Sequence, residues 1–194
     1  MFETSASLLE RLRQQPDDRS WQRLVDLYTP LLQGWLRRNS VPAADVDDLV
    51  QEVMAVLVRE LPDFHYDRQR GSFRGWLRTI TANRLRMFWR SRQGRPLATA
   101  DSDLARKLQE LEDPHSALSR LWDREHDRHV AQRLLELIEG EFEPASWRAF
   151  QRLALDGARP STVAAELGIS LNAVYLAKYR VLKRLRQEMQ GLTD

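Results

Sequence analysis

The chain has 194 residues, 42% of them hydrophobic and 30% charged, which suits one large or two small domains and argues against wholesale disorder. No apolar run approaches the ~20 residues needed to span a bilayer, and the opening MFETSASLLERLRQQPDD lacks the basic start and apolar stretch of a signal peptide. The expected location is therefore the cytoplasm. With no cysteine in the chain, disulfides, thiolate nucleophiles, iron–sulfur clusters and Cys-ligated zinc are excluded. The net charge of +2 hides a strong segregation: residues 1–95 carry 16 basic and 12 acidic side chains, residues 96–145 carry 6 and 12, and residues 146–194 carry 8 and 4. Between 73 and 95 stand seven arginines and no carboxylate, a density suited to phosphate contacts.

Apolar residues recur at intervals of three and four, with no convincing alternation, so the expected fold is all-α. A first helix is predicted at about 4–14, and a second at about 18–39 that Pro30 should kink or split. The third begins after Pro42, with Asp45 as its expected cap, and runs to Leu61, where Pro62 stops it. A polar loop bearing Phe64, His65 and Tyr66 leads to a fourth helix from Phe73 to about Arg92, capped by Ser72. Residues 93–116, with Gly94, Pro96, the acidic ELED and Pro114, have the composition of a linker containing a short helix. Helices then follow at about 116–138, at about 145–155, and as a pair between about 161 and 190.

That last pair resembles a helix-turn-helix. Ala164 is small where the helices would touch, Gly168 suits a turn of positive φ, and Val163, Leu167, Ile169, Val174 and Ala177 would lock the two helices. Asn172, Tyr175, Leu176, Tyr179, Arg180 and Lys183 are left on the outward side of the second helix, where an inserted helix meets the major groove. The stretch has no arginine before Arg180, which shifts the expected readout away from guanine. Asn172 would meet an adenine edge, Tyr175 or Leu176 thymine methyls, and Arg180 and Lys183 phosphates.

The N-terminal half carries a second constellation. Asp48-Leu49-Val50-Gln51-Glu52 is followed by Trp76-Leu77-Arg78-Thr79-Ile80-Thr81-Ala82-Asn83, and this pair of motifs resembles the σ2 domain of the extracytoplasmic-function group of sigma-70 family sigma factors. The helix-turn-helix then occupies the place of σ4. The resemblance covers about 15–92 and 115–190 and implies two small helical bundles: a σ2-like domain at 1–95, a flexible linker at 96–114 and a σ4-like domain at 115–194. It implies docking of Asp48, Gln51, Glu52 and Arg59 on the clamp helices of core RNA polymerase. Asn83 would read a flipped base of the opened minus-10 strand. Around it, Arg78, Arg84, Arg86 and Arg90 would form a phosphate track, with Phe64, His65 and Tyr66 walling a pocket. Phe88 and Trp89 are adjacent, so one is expected in the core and the other, taken as Trp89, presented to DNA. Ser170, Asn172, Tyr175, Leu176, Tyr179, Arg180 and Lys183 would serve the minus-35 duplex.

The expected partners are core RNA polymerase and promoter DNA, with an anti-sigma factor as an external regulator and a monomeric free protein. No catalytic residue, metal or cofactor is expected. His126 and His129, one turn apart, are expected on an exposed charged helix face rather than at a metal. DVDDLVQE lacks the second carboxylate cluster of a magnesium enzyme. The rival reading is a helix-turn-helix repressor with a helical ligand or dimerisation domain.

Overall fold

The computed structural model describes residues 7–14, 16–64, 72–93 and 102–193. Among them it is all-α, without strands: α1 (Leu8–Gln14), α2 (Asp18–Arg38), α3 (Ala43–Glu60), α4 (Phe73–Gln93), α5 (Ser102–Glu112), α6 (Ala117–Ile138), α7 (Pro144–Phe150), α8 (Pro160–Leu167) and α9 (Leu171–Met189). Two compact units emerge. One holds Ser7–Val130 together with 191–193, and the other is Ala131–Gln190, so the division falls inside α6. It does not fall in the 96–114 stretch that composition marks as a linker. The physical reason is that α5 packs on α4, burying Leu108 and Leu111, while the first half of α6 is buried at Ser119, Trp122 and His126.

In the first unit the helix starts follow local chemistry. Ser7 and Glu10 form a reciprocal capping box at α1, Ser7 N–H donating to Glu10 at 3.2 Å and Glu10 N–H to Ser7 Oγ at 3.3 Å. Asp17 caps α2 by accepting from Ser20 N–H at 2.6 Å, which holds its carboxyl below the usual range. Pro30 does not split α2, which runs unbroken to Arg38. The proline sits exposed while Leu27, Tyr28, Leu31, Leu32 and Trp35 on the other side are buried, and that burial offsets the missing N–H. Asp45 is not the cap of α3: the helix starts earlier, after Pro42, and Asp45 instead pairs with Arg92 at 2.5 Å. Pro62 lies within a 3₁₀ turn, Leu61–Asp63, that extends α3. Ser72 Oγ accepts from Gly75 N–H at 3.3 Å at the start of α4.

The first half of α6 is tied to α2 and α4 along its length. Trp122 meets Trp35 edge-on at 4.9 Å, Glu125 pairs with Arg38 at 2.5 Å, and His129 contacts the Leu27 carbonyl at 2.6 Å. His126 is fully buried, 3.2 Å from the Tyr28 hydroxyl and 3.1 Å from Asp127. The expectation of two histidines on an exposed face is therefore corrected: α2 covers both. Because the Asp127 carboxylate can only accept, Nδ1–H donates to it and the Tyr28 hydroxyl donates to Nε2, which satisfies a neutral imidazole.

Burial lowers the His126 pKa from its ordinary 6.5, against the raising pull of Asp127. Above pH 6.5 the ring is neutral folded or unfolded, whereas below it the unfolded chain takes up a proton that the folded protein refuses. Stability is therefore lost as pH falls from 6.5 toward the folded value. In urea unfolding, the stability gap between the parent and His126→Gln should narrow as pH is lowered from neutral through this window. A gap that does not move with pH would show that His126 does not titrate in this way.

The second unit centres on α7, α8 and α9. Ala149, Val163, Val174 and Ala177 form its buried cluster, with Leu153, Ala158, Ala164, Leu167 and Ile169 packed against it. The helix expected at 145–155 is α at Pro144–Phe150 only and continues as a π turn over Gln151–Leu155, closed by Asp156 N–H to the Gln151 carbonyl at 3.0 Å. Arg152 then bridges Glu166 at 3.0 Å and Asp156 at 3.0 Å, holding the Glu166 carboxyl below its usual range. Gly168 ends α8 at φ 63°, the left-handed conformation that favours glycine.

Candidate functional site

Three surfaces carry the residues singled out from the sequence. On α3, Val46, Leu49, Val50, Val53, Met54, Val56 and Leu57 are buried, which leaves Asp48, Gln51, Glu52 and Arg59 exposed on the opposite side. Arg59 pairs with its neighbour Glu60 at 2.7 Å, and Glu52 lies 4.0 Å from Arg84. Asp48 and Gln51 are open to a partner.

On α4, Phe73, Leu77, Ile80 and Leu85 are buried, while Asn83, Arg86 and Arg90 share one side at helical spacing. Asn83 is exposed and its Oδ1 accepts from Arg86 at 2.9 Å, which leaves the amide NH₂ pointed outward as a donor. Arg84 turns toward α3 rather than joining this row. Arg78 departs from the expected track: its side chain is 7% exposed and paired with Asp123 at 2.9 Å. Position 78 faces the first half of α6, not solvent. Phe64 stacks on Trp76 at 4.5 Å with rings 19° from parallel, and His65 and Tyr66 lie outside the described residues. Beside this stack a cleft of about 780 Å³ is lined by Phe64, Trp76, Arg74, Arg78, Thr79 and Asp123, among others.

Phe88 and Trp89 do not divide into one buried and one presented ring. Both are half-buried and meet edge-on at 5.2 Å, with Arg92 over the Phe88 face at 4.8 Å. The buried Trp89 indole N–H has no hydrogen-bond partner. Trp89 thus packs on its neighbour more than it projects.

On α9, the Ser170 hydroxyl caps the helix by accepting from Ala173 N–H at 3.1 Å. Val174, Ala177, Val181 and Leu185 face inward, and Asn172, Tyr175, Leu176, Tyr179, Arg180 and Lys183 all lie on the other side. Tyr175 is 51% exposed and Tyr179 59%, so neither ring is buried within its own unit. The surface offers an amide, two phenols and two cations at successive turns.

Sequence reasoning did not find the acidic partners of α4. Glu112 reaches Arg86 at 2.5 Å, Asp123 reaches Arg78, and Asp127 reaches Arg74 at 2.7 Å. The signal was present in the segregated charge of residues 73–95 and 96–145. Among the described residues no group of three His, Asp or Glu is placed to hold a metal, and no helix is long and apolar enough to cross a membrane.

No curated protein matches the chain. Residues 24–95 match the family model described as Sigma-70 region 2. The matched stretch spans most of α2 and all of α3 and α4, including the exposed row on α3 and the arginines and Asn83 on α4. The segment that carries both of these surfaces is thus similar to the Sigma-70 region 2 family.

Proposed function

We propose that the protein is a cytoplasmic sigma factor of the extracytoplasmic-function group, monomeric when free. It binds core RNA polymerase through the exposed face of α3, holds the opened minus-10 strand on α4, and reads the minus-35 duplex with α8 and α9 as a helix-turn-helix. The observation that carries this reading is the Sigma-70 region 2 match over the helices that expose Asp48, Gln51, Glu52 and Asn83. Functionally the chain divides into a σ2-like part at 1–95, a connector at 96–114 and a σ4-like part at 115–194, even though its compact units divide elsewhere. An anti-sigma factor is the regulator this arrangement would accept. Size exclusion with and without core polymerase tests the proposal: a monomer that co-elutes with core supports it, and a dimer that ignores core overturns it.

The docking face makes a separate expectation. Gln51→Ala with Glu52→Ala should alter stability by well under about 1 kcal/mol, because both side chains are exposed. Affinity for core should fall at least about tenfold, equal to about 1.4 kcal/mol. A titration of labelled protein with core reads the second, and thermal melting the first. Unchanged affinity would remove α3 from the contact.

The outward face of α9 makes another. With no arginine on α9 before Arg180, the minus-35 element should be read with modest specificity through Asn172, Tyr175 and Leu176. Sequences selected by the holoenzyme should change when Asn172 or Tyr175 becomes alanine. An invariant guanine run that survives both substitutions contradicts this assignment.

A further inference from the structure

From residue 73 to 92 the chain has six arginines and no carboxylate, yet three of those arginines are already occupied by acids from one later stretch. Glu112 at the end of α5 holds Arg86. Asp123 and Asp127, one turn apart on α6, hold Arg78 and Arg74, one turn apart on α4. Asp123 also stands 3.7 Å from Arg74. A carboxylate bound to a guanidinium uses the same donors that a phosphate would take. An arginine so held cannot neutralise a phosphate until the acid leaves.

We infer that this acidic stretch acts within the chain as a stand-in for nucleic-acid phosphates, covering the arginines of α4 so that the free protein binds single-stranded DNA weakly. The inference rests on the reading of α4 as the strand-binding surface. Capture of a strand then requires displacement of α5 and its link to α6. The construction permits it: α5 is a short helix anchored by buried Leu108 and Leu111, and a lightly anchored helix is the sort of element that opens locally. Arg90, exposed and without an acidic partner among the described residues, is left as the first point of attachment.

The test is the affinity of the full chain for a labelled single-stranded DNA of mixed sequence, across a salt series. Glu112→Gln alters an exposed pair that leaves the fold intact, and should tighten binding about threefold. Glu112→Gln with Asp123→Asn should tighten it about tenfold or more, with a steeper salt dependence, because each freed arginine adds a phosphate contact. Glu139→Gln with Glu143→Gln, the same change in net charge at exposed positions outside the unit that holds α4, should stay within about twofold of the parent. In the parent, amides of 105–112 should lose hydrogen-exchange protection when the DNA is saturating, a readout that needs no variant. If the two Glu112 variants bind like the parent and α5 keeps its protection, while Arg90→Ala weakens binding, the inference is overturned and the strand-binding surface stands. If no form binds the DNA even at low salt, that surface falls and the inference falls with it.

Discussion

Trp122→Ala should lower the free energy of unfolding by about 3–5 kcal/mol, the range for removing a large buried aromatic side chain. The indole is 1% exposed and meets the ring of Trp35 edge-on at 4.9 Å. Its N–H has no hydrogen-bond partner, so the loss is one of packing alone. The effect should also spread, because Asp123 and His126 follow on the same helix and position Arg78 and Tyr28. Urea unfolding followed by circular dichroism measures it. A loss under about 1 kcal/mol would mean that α6 does not anchor the first unit.

Asn83→Ala should cost about 1–3 kcal/mol of discrimination between bases of the opened strand while leaving the fold untouched. An amide that offers a donor and an acceptor to a base edge is worth that much when bidentate. Asn83 is exposed, and surface substitutions shift stability by no more than about 0.5 kcal/mol. Arg86 already engages Oδ1 at 2.9 Å and so orients the amide before any strand arrives. Loss of Arg86 should accordingly blur base preference as well as weaken affinity, whereas loss of Arg90 should weaken all sequences alike. Holoenzyme binding to non-template oligonucleotides that differ at one base reads both effects. An unchanged preference in Asn83→Ala removes that residue from the site.

The sequence carried the helices well wherever the determinants were local. Apolar spacing marked α3 and α4, Ser72 marked a helix start, and Gly168 marked the turn before α9. The outward set on α9 was readable for the same reason, since the buried Val174, Ala177 and Val181 define its complement. What stayed hidden depended on distant partners. Arg78 looks like one more exposed cation until Asp123, 45 residues on, is placed against it. His126 looks like a surface residue until Tyr28, 98 residues earlier, closes over it. Pro30 signals a break, and only the burial around it shows why α2 continues. Composition likewise marks 96–114 as a connector without revealing that α5 packs on α4.

The first unit is completed by residues 191–193, far along the chain from the rest of it. Leu192 is fully buried, the Thr193 carbonyl accepts from Arg74 at 2.7 Å, and Gly191, at φ 82°, has the Leu9 side chain 3.2 Å from where a Cβ would stand. In topological terms, Ala131–Gln190 is an insert within a unit that opens before it and closes after it. During synthesis, domains generally fold as units as the chain emerges. Here the earlier unit must wait: the inserted one can leave the ribosome whole and fold while the bundle around α1 still lacks its closing residues. The part of the protein made first is thus finished last.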